Sequence, residues 1–342
     1  MPRIAIIGTG LIGASIGLRL REKSEIKDLE VVGADREFDI AKRAEKIGAI
    51  DSAIRDPRRA VSDASLVILA TPVLSLRGAM ADIAPALEEG AIVTDTGSTK
   101  TEVIAWAGRE LPDENSFVGG HPMAGKTDAG PSFAESNLFE GARWVIVPSR
   151  HASEGAVRTV RNLVETMGAT EMFMDAEEHD AYVAAISHLP LMAATAMFTM
   201  TRDSEAWPEM SKLAAGGFND TTRLAGTEAN VAFDIAVTNR TQIVHWLERY
   251  REALADLQER LSDEEGEDLF RHMAQTSWDY TSYREGATGR EEIDQKASPM
   301  PRAELGNLFM GEALASKMRE LTAASEERLR ELDREERLTR RE

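Results

Sequence analysis

The chain has 342 residues, 42% hydrophobic and 29% charged, and Lys+Arg 40 against Asp+Glu 59 gives a formal net charge of −19. That length suits one large or two ordinary domains, and the apolar content supports a buried core, which excludes an intrinsically disordered chain. The acidic balance argues against a nucleic-acid partner, whose phosphates must be neutralised by Lys and Arg, and zero cysteines exclude a disulfide framework, a thiolate metal site and a cysteine nucleophile.

The opening MPRIAIIGTG carries one early Arg and a four-residue apolar run before Gly8. This is too short for a signal-peptide core and reads as a strand. A reducing cytoplasm fits the absence of cysteine. The 31 arginines against nine lysines fit either a salt-rich cytoplasm or an Arg-rich composition bias.

Short β-branched runs then alternate with helical stretches, the pattern of βαβ units and a mainly parallel sheet. Strands are predicted at Ile4–Ile7, Glu30–Ala34, Leu66–Ala70, Ile92–Asp95, Phe117–Gly119, Trp144–Val147 and Thr170–Met174. Helices fall at Leu11–Lys23, Phe38–Gly48, Pro72–Glu88, Thr99–Glu110 and Ser153–Met167. Pro72 suits a first helical position, and Gly48, Gly90 and Gly168 suit helix ends.

From about Asp175 the strand signal stops and long helices rich in Ala, Met, Leu, Glu and Arg take over. The apolar stretch Ala181–Met200 is interrupted by Ser187, His188 and Pro190 and reads as a buried helix rather than a membrane span. Gly286–Pro301 reads as a linker, and Ala323–Glu342 as a solvated, ion-paired helix or frayed tail. The expected domains are therefore 1–174, 175–285 and a charged tail, 286–342.

Between the first strand and first helix stands Gly8-Thr9-Gly10-Leu11-Ile12-Gly13, a G-x-G-x-x-G. Gly8 permits the tight turn, Gly10 lets backbone approach a pyrophosphate, and Gly13 allows the helix to pack on the strand. Leu11 and Ile12 open the helix whose N-terminal amides favour the phosphates. The second strand ends at Asp35, 35 − 13 = 22 residues after Gly13, the spacing of the carboxylate that receives the ribose hydroxyls. NAD is the expected cofactor, with NADP possible because neighbouring Arg36 could pair with a 2′-phosphate. Thr71 and Pro72, at the end of the third predicted strand, lie on the same ligand-binding edge, where an ordinary capped turn is an equal reading. The fold class is thus α/β, a Rossmann-type doubly wound parallel sheet followed by an all-helical domain.

Two polar clusters follow the next strands: Asp95-Thr96-Gly97-Ser98-Thr99-Lys100 and Gly119-Gly120-His121-Pro122-Met123-Ala124-Gly125. Alone, Ser98 suits a helix cap and His121 a packed loop histidine. Both sit on the rim that carries the fingerprint, and together with it they point to a dehydrogenase.

With GTGLIGASIG, DTGSTK, GGHPMAG, Ser187-His188-Leu189-Pro190 and Gly216-Gly217-Phe218-Asn219-Asp220-Thr221-Thr222-Arg223 in that order, the chain resembles the TyrA family of prephenate and arogenate dehydrogenases, from about Met1 to Leu261. The resemblance implies oxidative decarboxylation of a cyclohexadienyl substrate, with hydride passing from ring C4 to the nicotinamide. It implies that His121 is the catalytic histidine, neutral so that it can accept from the C4 hydroxyl, and that Ser98 holds the same hydroxyl and orients the histidine. Arg223 would bind a substrate carboxylate through its planar fork. His188 suits substrate binding or a structural hydrogen bond equally. A homodimer through the helical domain is implied as well.

Leu191 stands where several prephenate-preferring relatives carry a second histidine, and Val231–Ile235 lacks a tryptophan often found there. Lys126, just after GGHPMAG, is a candidate contributor to the pocket charge that separates prephenate from arogenate. No strand-rich regulatory extension and no mutase region are seen. The histidines show no metal-ligand spacing, and Asp175, Glu177, Glu178 and Asp180 read as an acid-rich helix start. Two other classes remain open. One is a hydroxyacid or imine dehydrogenase with Lys212 as base; the other is a non-catalytic NAD-binding regulator.

Overall fold

The computed structural model describes residues 2–125, 128–263 and 266–287. Lys126 and all but the first two residues of the expected tail lie outside them.

In chain order the sheet half contains β1 (Arg3–Ile7), α1 (Leu11–Lys23), β2 (Glu30–Ala34), α2 (Phe38–Lys46), β3 (Ser52–Ala53), α3 (Pro57–Val61), β4 (Leu66–Leu69) and α4 (Val73–Ile83). It continues with β5 (Ile92–Asp95), α5 (Thr101–Glu110), β6 (Ser116–Pro122), β7 (Arg143–Pro148), α6 (Glu154–Thr166) and β8 (Thr170–Phe173). The eight strands run β3-β2-β1-β4-β5-β6-β7-β8. All neighbours are parallel except β6 and β7, which are joined without a long crossover helix and so can run antiparallel.

Strand alternation builds both cores. Ile4 and Ile6 face α1 and α6 in one cluster, while Ala5 and Ile7 join Val67, Leu69 and the apolar sides of α3, α4 and α5 in the other. Side chains of period two covered on both faces define a doubly wound sheet. The two-residue β3 and the one-turn α3 carry too few residues for a periodic signal, and the sequence reading contained neither. His121 lies inside β6 rather than after it, because β6 keeps pairing with β7 through Pro122 and Trp144.

The helical half comprises α7 (Ala176–Val183), a π turn (Ala184–His188), α8 (Leu189–Arg202), α9 (Trp207–Leu213), α10 (Gly216–Thr222), a 3-10 turn (Arg223–Gly226), α11 (Ala229–Thr238) and α12 (Arg240–Leu261). The expectation of a buried helix over Ala181–Met200 is corrected. The 27-residue stretch Ala176–Arg202 is long and apolar enough to cross a membrane, yet only 28% of its most apolar window is buried. Within α8, Leu191 and Ala194 are buried, packing with Ile235 and Ile243, whereas Ile186 and Met200 remain 71% and 70% exposed. The helices pack on one side only.

Two compact units divide the chain, residues 1–249 and 250–342. In the second, α13 (Glu267–Arg284) carries Glu267 and Asp268 in its first turn and Arg284 in its last, which suits the helix dipole.

Candidate active site

The order of the sheet reverses between β1 and β4, and the crevice outside the carboxyl ends of the strands at such a switch point is where doubly wound folds take their ligands. Gly8 leaves β1 with φ +92°, and a Cβ on it would stand 2.5 Å from the Ala70 carbonyl oxygen beyond β4. Around Gly10, by contrast, nothing lies within 4 Å of a Cβ position. It opens α1 without a side-chain cap, so the first turn, with Leu11 and Ile12, presents uncapped amides beside open space. Gly13 could not carry a Cβ, which would meet the Gly8 oxygen at 2.0 Å. A dinucleotide pyrophosphate fits this arrangement of close-packed glycines below and a free helix N-terminus above.

Asp35 Oδ2 accepts the Thr9 N–H at 2.9 Å and Oδ1 the Glu37 N–H at 3.0 Å. The Thr9 hydroxyl donates to Oδ2 as well, at 3.4 Å, so the carboxylate is fixed at the end of β2 and Oδ1 keeps a further lone pair for a ribose hydroxyl. Arg36 beside it is exposed. Across the crevice Thr71 is half-buried, and Pro72 is the N-cap residue of α4.

Further along the same edge, the motifs DTGSTK and GGH form one object. Lys100 Nζ pairs with Asp95, both side chains being 0% exposed. Asp95 also accepts the Gly97 N–H at 2.7 Å and the Gly120 N–H at 3.1 Å. A Cβ on Gly119 would crowd the Lys100 stem at 3.2 Å, and one on Gly120 would meet the Asp95 carbonyl oxygen at 2.6 Å. Both glycines are thus needed for β6 to pass the buried ion pair and deliver His121.

His121 is 8% exposed. Its Nδ1 lies 2.8 Å from Nε2 of His179, whose own Nδ1 lies 2.8 Å from Asp180 Oδ1. The rings meet edge-on, with centroids 5.0 Å apart. Burial first, then the charges of His179, Lys100 and His188, push His121 well below its ordinary value of 6.5, so its neutral form is the resting one. Asp180 also accepts the N–H groups of Lys100 at 2.8 Å and Thr101 at 2.9 Å, capping α5 from another element. Asp175 is the N-cap residue of α7, and Glu177 and Glu178 fill its first turn, as the acid-rich helix start implies, whereas Asp180 points to α5 as its cap.

The π turn ends at His188, an arrangement frequent at functional positions. His188 is 1% exposed. Asn239 Nδ2 donates to the Asp180 carbonyl oxygen at 2.7 Å, which fixes the amide orientation, and the same group lies 3.1 Å from His188 Nδ1. Nδ1 is therefore an acceptor and Nε2 carries the hydrogen. That buried Nε2 has no hydrogen-bond partner among the described residues. Burial pushes His188 down to about 4, with Asp180 partly opposing and His179 adding.

Ser98 is half-buried in the β5–α5 turn and makes no hydrogen bond among the described residues; the Nδ1 of His121 is taken by His179. Arg223 begins the 3-10 turn after α10, exposed, and makes no ion pair among the described residues. Lys212 is exposed on α9. Sequence reasoning missed His179 and Asp180 as site residues. The signal was a His-Asp pair directly ahead of the apolar stretch, masked by the neighbouring acids. No metal-binding group of side chains occurs among the described residues.

A switch-point crevice with a dinucleotide fingerprint, and a buried neutral histidine on the same edge, define a nucleotide-dependent dehydrogenase with a helical second half. The family description "Prephenate dehydrogenase, nucleotide-binding domain" matches residues 16–172, and "Prephenate dehydrogenase, dimerization domain" matches residues 175–275. The prephenate dehydrogenase of Bacillus subtilis is 34% identical over 279 residues, which are 81% of this chain and 74% of that one. The prephenate dehydrogenase of Aquifex aeolicus, solved with hydroxyphenyl propionate and NAD+, aligns with TM-score 0.75 at 27% identity, covering 81% of this chain and 96% of that one. Synechocystis arogenate dehydrogenase aligns at 0.70 and 29%, over 82% and 99%. The chain belongs to the prephenate dehydrogenase family, whose members oxidise cyclohexadienyl substrates.

Proposed function

We propose that this protein converts prephenate to 4-hydroxyphenylpyruvate by oxidative decarboxylation, preferring NAD, with His121 as the base. The observation that carries this reading is the buried, neutral His121 held on the edge of the sheet that bears the dinucleotide crevice. NAD, held by the α1 N-terminus, Asp35, Thr71 and Pro72, supplies the hydride acceptor. Asp35 favours the free ribose diol of NAD and repels the 2′-phosphate of NADP, which Arg36 alone would have to hold.

His121 takes the C4 hydroxyl proton while the ring loses hydride, and the carboxylate leaves as the ring becomes aromatic. Ser98, in the adjoining turn, holds the same hydroxyl. His188 offers its unpartnered Nε2–H to the substrate, and Arg223, free of ion pairs among the described residues, binds a carboxylate in a bidentate manner. Lys126, which follows the His121 segment in sequence, is the candidate for the charge that separates prephenate from arogenate.

The exposed apolar residues of the helical half, among them Ile186, Met200, Leu213 and Phe233, support a homodimer formed through it. The charged and hydrogen-bonded interior around Asp180 and His188 fits packing against protein rather than lipid, and we place the enzyme in the cytoplasm.

Arogenate is the second reading, favoured by Leu191, which is 5% exposed in the apolar cluster of the helical half where a histidine would add a polar contact. NADH formation with prephenate and with arogenate, each with NAD and with NADP, tests both. Turnover of prephenate with NAD well above the other three combinations is the expected result. Arogenate dominance would transfer the assignment to that substrate, and no turnover from folded protein would remove it.

A further inference from the structure

We propose that His179 and Asp180 form a proton relay behind His121, so that the proton taken from the substrate hydroxyl is held on His179 until the product oxygen takes it back. The inference rests on the reading of His121 as the base and deepens it.

The polarity of the chain is compelled from its far end. Asp180 receives two backbone amides of α5, from Lys100 and Thr101, so its carboxylate is locked as an acceptor. His179 Nδ1, 2.8 Å from the oxygen that also takes the Lys100 amide, must then be the donor. A neutral imidazole with hydrogen on Nδ1 has its lone pair on Nε2. That lone pair faces His121 Nδ1 at 2.8 Å, which must donate in turn. His121 is left with its lone pair on Nε2, the nitrogen with no protein hydrogen bond among the described residues. Asp180 thus sets, through two rings, the tautomer a base requires.

The charges decide where the proton rests. On His121 it would sit beside buried Lys100, whose charge is balanced by Asp95 on the other side, and near His188. On His179 it adjoins the Asp180 carboxylate. These are the charged and titratable groups facing the pair, from the β5–α5 turn, β5, the π turn and α7 itself.

As ring C4 gives up its hydride, the hydroxyl O–H bond breaks toward His121 Nε2 and the His121 Nδ1–H bond breaks toward His179 Nε2. The ring carbon–carboxylate bond then breaks, its electron pair aromatises the ring, and a phenolate oxygen forms. The proton returns to it by the same bonds. A dianionic substrate and a cationic nicotinamide become a monoanionic product, carbon dioxide and the reduced cofactor, so no net proton is released.

The test uses the full-length protein labelled with 15N-histidine, together with His179→Gln, which keeps an acceptor near the Nε2 position but has no basic nitrogen. In wild type, ring-nitrogen spectra should show His121 Nε2 unprotonated and Nδ1 protonated, with His121→Asn assigning the signals. A hydrogen on Nε2 overturns the relay. In His179→Gln, kcat should fall about tenfold or more with KM within about twofold, and the acid limb of kcat/KM should move to lower pH, because His121 alone then titrates. Near-wild-type kcat, or a limb that stays in place or moves up, as removal of a neighbouring charge alone would produce, overturns it. Failure of wild type to turn over prephenate would sink the functional reading instead, and the ring-nitrogen spectrum would still decide the relay, as it would if the Gln variant did not fold.

Discussion

The carboxylate of Asp180, on the first helix of the helical half, accepts the backbone N–H of Lys100 at 2.8 Å, and so one residue ties α7 to the sheet edge that carries Asp95 and His121. Two further bonds act alongside it. Leu74 N–H donates to Asp234 at 3.0 Å, and the hydroxyls of Thr99 and Thr238 meet at 2.9 Å. The helical half is thereby fastened at the helix starts that border the crevice.

Asp180→Ala should lower the unfolding free energy by at least about 2 kcal/mol, since it strands two helix N–H groups and a buried imidazole donor. Burial alone would raise the Asp180 carboxyl, but the bonds from His179, Thr101 and Lys100 outweigh it and hold the group below its ordinary 3.8. A carboxyl lowered in the folded state stabilises above its unfolded value and loses that contribution as pH falls through the folded one. Urea titrations should therefore show a constant gap between wild type and variant near neutrality, narrowing below about pH 4.

His188 acts in the adjoining, higher pH region and with the same sign. Its folded value of about 4 lies below that of the unfolded chain, so the unfolded state binds more protons between the two. Stability is full above about pH 6.5 and falls as pH drops toward 4, by roughly 3 kcal/mol from this residue. Denaturant unfolding of wild type and His188→Gln across that range should show a shallower slope for the variant; equal slopes would remove His188 as a source.

His121→Asn should reduce kcat by about 100- to 10,000-fold while leaving NAD affinity, read by cofactor fluorescence, within about twofold. Normal turnover would take His121 out of the chemistry.

Arg223→Gln should raise KM about 10- to 100-fold with a smaller effect on kcat, the loss expected for a charged, paired hydrogen bond made in both ground and transition states. Steady-state kinetics with varied prephenate decides this, and an unchanged KM makes the arginine structural.

Asp35→Ser should weaken NAD binding about tenfold and narrow the preference over NADP, because the ribose diol loses its acceptor and the 2′-phosphate loses its repulsion. Calorimetric titration with both cofactors measures each term. An unaltered ratio would show that discrimination lies elsewhere.

Much of this was readable in the chain. The fingerprint glycines, Asp35 and the alternation of Ile4, Ala5, Ile6 and Ile7 are local patterns, and local patterns report local geometry. Motif order carried the family, and it named His121, Ser98, Arg223 and His188 as candidates, of which the structure brings His121 and His188 into one buried cluster. Harder to read was anything built from distant segments. Asp180 looked like one more acid in Asp175-Ala176-Glu177-Glu178, because nothing near it in sequence reveals that it caps a helix starting 79 residues earlier. Lys100 stood in the sequence only as the end of DTGSTK, and its burial against Asp95, close under Gly119, comes from β5, α5 and β6 meeting.

The sequence by itself determined the alternation of strands and helices, the dinucleotide crevice and the residue types of the site. These depend on neighbours a few positions apart, through side-chain period and backbone permissiveness. Only the tertiary structure decided which nitrogen of His121 is free, that His179 stands behind it, and that the long apolar helix lies half open rather than buried. Hydrogen-bond polarity and burial are properties of groups brought together from separate elements, and a chain read along its length does not contain those distances.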